Sequence, residues 1–148
     1  MNYKEELKSM TILFKAFQSV EAFAKKDIAK YGMNPTEFAA LEALYHKGRL
    51  PVQGMCQKVL IANSSMTYVL DKLQEKKLIE RIQDSTDKRT FYVELTGSGK
   101  KLADDIFPKH YEVMRQVFEV LTAEEKKMLG ELLKKVGFNA LDMADSIE

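Results

Sequence analysis

The sequence holds one cysteine, no excess of charge of either sign and no long apolar run, and each shortage excludes something. A lone cysteine cannot close a disulfide within the chain, so a stapled secreted scaffold is out. With 23 Lys+Arg against 22 Asp+Glu, the net charge of +1 excludes a uniformly basic nucleic-acid coat and a highly charged disordered tail. No uncharged apolar stretch reaches the length of about 18 residues that suggests a bilayer span, and the start MNYKEELK lacks the basic-then-apolar layout of a signal peptide. A soluble cytoplasmic protein without membrane contact is expected. Catalytic signatures are missing as well: there is no glycine-rich dinucleotide fingerprint, phosphate loop, His-Glu-x-x-His or Cys-x-x-Cys. Two histidines in separate helices and one cysteine make a poor zinc site. No enzyme, metal or cofactor is therefore expected.

What is present suits one domain: 148 residues, 45% hydrophobic. The near-neutral total hides an asymmetry. Residues 1–90 carry 15 Lys+Arg and 11 Asp+Glu, a net +4, whereas residues 91–148 carry 8 and 11, a net −3. A bound polyanion would belong to the first part.

Helical periodicity opens the chain. Over residues 4–30, Leu7, Met10, Phe14 and Phe17 form one stripe, and Leu13, Ala16, Val20 and Phe23 an adjacent one. Two stripes exceed what a terminal helix gives to one small core, so this helix is either deeply buried or packed on another chain. Gly32 ends it. Asn34-Pro35-Thr36-Glu37 caps a second helix with Phe38, Leu41, Leu44 and Tyr45 on its apolar face. Leu50-Pro51-Val52 is an extended connector, followed by a short helix from about Gln53 to Val59.

Asn63-Ser64-Ser65 caps a further helix to about Lys77, with Met66, Val69, Leu70 and Leu73 inward. Its outward N-terminal half is short, polar and free of acids until Asp71. Strands over 79–83 and 90–95 then flank Asp84-Ser85-Thr86-Asp87-Lys88-Arg89, too polar for a core and too long for a two-residue turn. Thr96 starts a long helix to about Val120, in which Pro108 should bend the axis or interrupt its hydrogen bonding. Thr122-Ala123-Glu124-Glu125 is a capping box for a last helix whose apolar pattern continues almost to Ile147. Apolar patterning at both ends predicts that they meet, within one chain or between two copies, and a homodimer is the expectation.

The middle of this order is a helix-turn-helix followed by a β-wing. In such a unit, a helix with short polar N-terminal residues enters the DNA major groove, and a basic wing tip reaches the adjacent minor groove.

These residues resemble the MarR-type (multiple-antibiotic-resistance) winged-helix regulators over essentially the whole chain. The carrying segments are Met66-Thr67-Tyr68-Val69-Leu70-Asp71-Lys72-Leu73, Leu78-Ile79-Glu80-Arg81, the wing Asp84–Arg89, and Leu95-Thr96-Gly97-Ser98-Gly99. Ser65 to Leu73 is also similar to a subgroup that includes quinone- and electrophile-responsive repressors. Three positions depart from the usual pattern: Tyr68 where many members carry Arg, Lys77 where a turn Gly is usual, and Thr86 where some place a basic residue.

The resemblance implies a mainly helical fold with a small β-wing. A winged helix-turn-helix lobe would span residues 34–95, and helical dimerisation segments 1–31 and 96–148, within one domain. It also implies a repressor of a pseudo-palindromic double-stranded DNA operator. Asn63, Ser64, Ser65, Thr67, Tyr68 and Lys72 are the candidate DNA contacts of the recognition helix. At the wing, Arg89 is the minor-groove candidate, Lys88 goes to phosphate, and Asp87 orients the arginine. Release would follow binding of a small aromatic or phenolic effector in a cleft with Phe17, Tyr31, Tyr45, His46, His110 and Tyr111 as candidates. Cys56 has two readings, a small buried hydrophobe or a thiol sensor. A winged-helix adaptor that binds protein and not DNA is the rival from another class.

Overall fold

The computed structural model describes residues 3–59 and 63–147; the side chains of residues 56–59, 63 and 64 are outside that description. Six helices and three strands follow in the order α1 (Tyr3–Ala29), α2 (Pro35–Lys47), β1 (Leu50–Pro51), α3 (Val52–Val59), α4 (Asn63–Glu75), β2 (Ile79–Gln83), β3 (Phe91–Leu95), α5 (Gly97–Val117) and α6 (Ala123–Ala144). The chain divides into two compact units, Met1–Tyr111 and Glu112–Glu148. Among the described residues, no helix is long and apolar enough to cross a membrane.

Local chemistry explains the boundaries. The Asn34 side chain accepts the Glu37 backbone N–H at 2.8 Å, and Pro35 opens α2 where its missing N–H costs nothing. Gly48, with φ of 74°, ends α2 in a conformation that side chains disfavour. At α6 both halves of the capping box form: the Thr122 hydroxyl accepts the Glu125 N–H at 3.1 Å, and the Glu125 carboxylate accepts the Thr122 N–H at 3.0 Å. Those bonds hold the Glu125 carboxyl below its ordinary pKa.

The sheet has the order β1-β3-β2, antiparallel throughout, with Leu50 opposite Val93 and Arg81 also opposite Val93. The extended connector at Leu50-Pro51 is thus a third strand. Two residues are too few for alternation to register, which is why periodicity alone does not mark it. Helix α5 continues through Pro108 and ends at Val117, short of the expected Val120. Phe118 and Glu119 donate instead to Arg115 and Gln116, three residues back, tightening the exit.

The core lies in the first unit. Phe38, Leu41 and Leu44 of α2 pack with Met55, with the α4 stripe Met66, Val69, Leu70 and Leu73, with Ile79 and Val93 of the sheet, and with Ile106 and Phe107 of α5. Phe38 and Phe107 meet edge-on at 4.9 Å between ring centroids. The α4 spacing of i, i+3, i+4, i+7 buries all four of its apolar side chains against this core. Its opposite face, with Ser65, Thr67 and Tyr68, is left to solvent.

Helix α1 behaves differently. Its only buried residues are Asp27 and Ile28, and Leu7, Met10, Phe14 and Phe17 are exposed. Helix α6 buries nothing, and Met128, Leu132, Leu133, Val136 and Leu141 are all exposed.

Lys77 takes φ of 60° in the turn from α4 to β2, a left-handed conformation that an L side chain resists. Lys77→Gly is expected to raise the urea midpoint, a gain of up to about 1 kcal/mol after the entropy glycine adds to the unfolded chain. A lower midpoint would show that the lysine stem packs usefully there.

Candidate nucleic-acid interface

Helix α4 and the β2–β3 wing present their polar residues on one unit, and the backbone dictates how. Burial of Met66, Val69, Leu70 and Leu73 fixes the rotation of α4, so Ser65, Thr67 and Tyr68 point outward; Tyr68 is 62% exposed. Lys72, one turn on, places its ammonium 5.5 Å from the Tyr68 ring centroid and 3.7 Å from Glu75. Lys72 therefore steadies Tyr68 as well as standing near it. The residues assigned at Asn63, Ser64 and Cys56 fall outside the described side chains.

At the wing tip, Asp87 is the organiser. Its carboxylate accepts the Arg89 backbone N–H at 3.0 Å and the Thr90 hydroxyl at 3.0 Å, while its carbonyl accepts the Thr90 N–H. Asp84 N–H closes the loop on the Thr90 carbonyl at 2.9 Å, and Gln83 donates to the Lys88 carbonyl at 2.7 Å. Asp87 thus orients Arg89 through its main chain, not by pairing with its guanidinium. Within the described residues, the Lys88 and Arg89 head groups have no protein partner, and both residues are exposed. A recess of about 350 Å³ separates α4 from the wing, lined by Gln53, Thr67, Arg81, Arg89 and Phe91 among others.

The sequence marks Arg81 as part of the resembling segment 78–81 but gives it no role. Its guanidinium donates to Asp71 Oδ1 at 2.7 Å and to Gln74 Oε1 at 2.5 Å, tying β2 to α4. The partners lie ten and seven residues upstream across a turn, a separation no helical or strand period encodes.

The proposed effector residues divide. Tyr45, His46, His110 and Tyr111 come together with Phe107 in one aromatic cluster of α2 and α5, with Tyr111 stacked on His46 at 5.9 Å and on Phe107 at 6.1 Å. Tyr31 packs at the edge of the core, and Phe17 stands apart on α1, 62% exposed. The cluster is polar at its rim: Tyr45 donates to Asp104 at 2.8 Å, and the Tyr111 hydroxyl is hydrogen bonded to His46 Nε2 at 2.5 Å. Burial, with the Glu42 carboxylate adding to it, pushes the Tyr111 hydroxyl up to about 12. The Tyr45 bond raises that phenol and, reinforced by Lys100, lowers Asp104. Both phenols therefore stay neutral at physiological pH. Beneath them, His110 Nδ1 lies 2.7 Å from Asp27 Oδ2 in a buried pair, with Lys30 at 3.5 Å from the other carboxylate oxygen.

A helix with an outward tyrosine, beside a self-bonded turn that ends in an unpaired arginine, is a winged helix-turn-helix. The MarR family model matches residues 33–91. Over 137 residues the chain is 44% identical to the HTH-type transcriptional regulator MhqR of Bacillus subtilis, covering 93% of this chain and 94% of that protein. This chain belongs to the MarR family. It is a DNA-binding transcription regulator. As a MarR-family fold it is similar to Sco3205 of Streptomyces coelicolor, solved in complex with DNA, with 25% identity and a TM-score of 0.82 over 90% of this chain and 86% of that one. BpsR of Bordetella bronchiseptica, whose DNA binding is regulated by 6-hydroxynicotinic acid, shares the fold at 23% identity and a TM-score of 0.77, over 88% and 98%. The fold class expected for a MarR-type chain, mainly α with a small wing, is the one observed.

Proposed function

We propose that this MarR-family chain is a homodimeric cytoplasmic repressor that binds a pseudo-palindromic operator and leaves it when a small aromatic ligand or an electrophile arrives. The observation that carries the reading is the outward face of α4, where Tyr68 is exposed and its neighbour Thr67 lines one recess together with Arg89, whose head group has no protein partner among the described residues. Tyr68, Ser65 and Thr67 take base edges and phosphates in the major groove, with Asn63 and Ser64 at the helix start and Lys72 behind. Arg89 enters the minor groove and Lys88 takes phosphate. Residues 34–95 form the DNA lobe. Segments 1–31 and 96–148 form the dimer, whose contact covers the exposed apolar residues of α1 and α6. Two recognition helices then meet half-sites about 34–36 Å apart. The Tyr45, His46, His110 and Tyr111 cluster is the effector site, its neutral phenols and aromatic faces suiting a phenolic or aromatic guest. A guest there would lower affinity by favouring a dimer with altered half-site spacing.

The experiment uses the full chain and a duplex enriched from a random-sequence library, titrated over a salt series. Arg89→Ala is expected to weaken binding and reduce the salt slope by about 1, with stability changed by less than about 0.5 kcal/mol. Tyr68→Ala is expected to change the ranking among variant duplexes. Unchanged affinity in Arg89→Ala, or a monomer by sedimentation at binding concentrations, overturns the reading.

A further inference from the structure

Resting on that placement of Tyr68 and Arg89, we infer that Arg81 is a positioning residue for DNA recognition: it fixes the distance between recognition helix and wing, and contributes no phosphate contact of its own. The register sets the stage. Arg81 is paired with Val93, so both side chains leave the sheet on the same face, the face that Val93 buries completely in the core. From that position the arginine side chain reaches α4. There the planar head donates to Asp71 and Gln74, outward positions three residues apart on the helix, and its side chain is only 24% exposed. Among the described residues this is the one ion pair between α4 and the wing sheet.

Arg81 lies between two recesses, one shared with Thr67 and Arg89, the other with Asp71, Gln74 and Glu75. A loosened bridge lets Arg89 and Tyr68 each bind, but not together in the geometry of one site. Asp71 neutralises Arg81 at 2.7 Å, so the guanidinium is spent inside the protein, unlike that of Arg89. Lysine cannot replace it, because a point charge on a flexible stem cannot hold two acceptors in one plane.

The test measures the ratio of affinity for the selected duplex to that for a random-sequence duplex, together with the salt slope. Arg81→Lys and Asp71→Asn are each expected to lower the ratio by about tenfold with the slope unchanged, and the double variant to be no worse than either. A ratio unchanged in both single variants overturns the inference. So do additive losses in the double variant, or a slope that falls by about 1 with Arg81→Gln. Asp71 is 56% exposed, so Asp71→Asn retains the fold even if an Arg81 variant does not, and its unchanged ratio is then decisive. Arg89→Ala separates the two readings. If it too leaves affinity and slope untouched, the interface itself is misplaced; if it lowers the slope while the Arg81 and Asp71 variants keep their ratio, this inference alone fails.

Discussion

Gly99→Ala is expected to cost this protein more than about 3 kcal/mol, the upper end of what overpacking does, and to reduce the folded yield. A methyl group at Gly99 would sit 1.9 Å from the Leu78 carbonyl oxygen and 2.9 Å from its carbon. The obstacle is backbone, so no rotamer change relieves it. Nor is the backbone free to retreat. Thr96 N–H donates to that same Leu78 carbonyl at 3.0 Å, the Thr96 hydroxyl donates to the Lys77 carbonyl at 2.7 Å, and the hydroxyl oxygen accepts the Gly99 N–H at 3.0 Å. Two bonds from one threonine thus fasten the start of α5 to the turn between α4 and β2, and a third holds Gly99 to that threonine. Relief of the clash means breaking them. Gly97, two residues earlier, is the control: a Cβ there meets nothing within 4 Å, and Gly97→Ala should be neutral within about 0.5 kcal/mol. Urea unfolding of both variants, followed by circular dichroism, decides the matter. A Gly99→Ala midpoint equal to that of wild type would mean that α5 docks elsewhere.

Asp27→Ala is the second large effect, with a cost of about 3 kcal/mol or more. Asp27 and His110 are 3% and 7% exposed, and their side chains meet at 2.7 Å across a separation of 83 residues. Alanine leaves a buried imidazole donor without its acceptor and takes from Lys30 its nearby carboxylate. His110 also sits edge-on to Phe38 at 4.7 Å, so it cannot swing out to water without opening the core. The expected ordering is instructive. Asp27→Asn, which keeps an acceptor oxygen, costs less than alanine, and an apolar pair in Asp27→Leu/His110→Phe recovers much of the loss, because removing both polar partners removes the unpaired group. A thermal midpoint lower by roughly 6–12 °C in Asp27→Ala, at fixed protein concentration, is the corresponding readout. Additive single and double effects would mean that the two groups do not depend on each other.

Neither effect could be taken from the sequence, and the reason is the same for both. Capping residues act within three positions, so Asn34, Thr122 and Glu125 declare themselves, and the α4 stripe from Met66 to Leu73 encodes its own burial. Gly99 is visible as part of a helix-start turn, but the carbonyl it makes room for comes from Leu78. The Asp27–His110 and Arg81–Asp71 pairs join segments whose apposition is a product of the fold. The wing was legible as a polar loop between two alternating strands, yet the part played by Asp87, holding the backbone of Arg89 and the hydroxyl of Thr90, needed coordinates. The first stripe of α1 was legible as apolar without showing what covers it; in the chain by itself Leu7, Met10, Phe14 and Phe17 are exposed.

The order of the small sheet has a consequence for solubility. Placing β3 in the centre leaves β1 and β2 as edges, and an open edge invites a strand from another molecule. One edge is two residues long and ends in Pro51, which has no N–H to offer an incoming chain. The other carries the exposed Glu80 among its five residues, a charge that an added strand would have to desolvate. The sheet is closed to extension on both sides. Strand exchange and fibre growth through the wing are disfavoured even at high local concentrations of the protein.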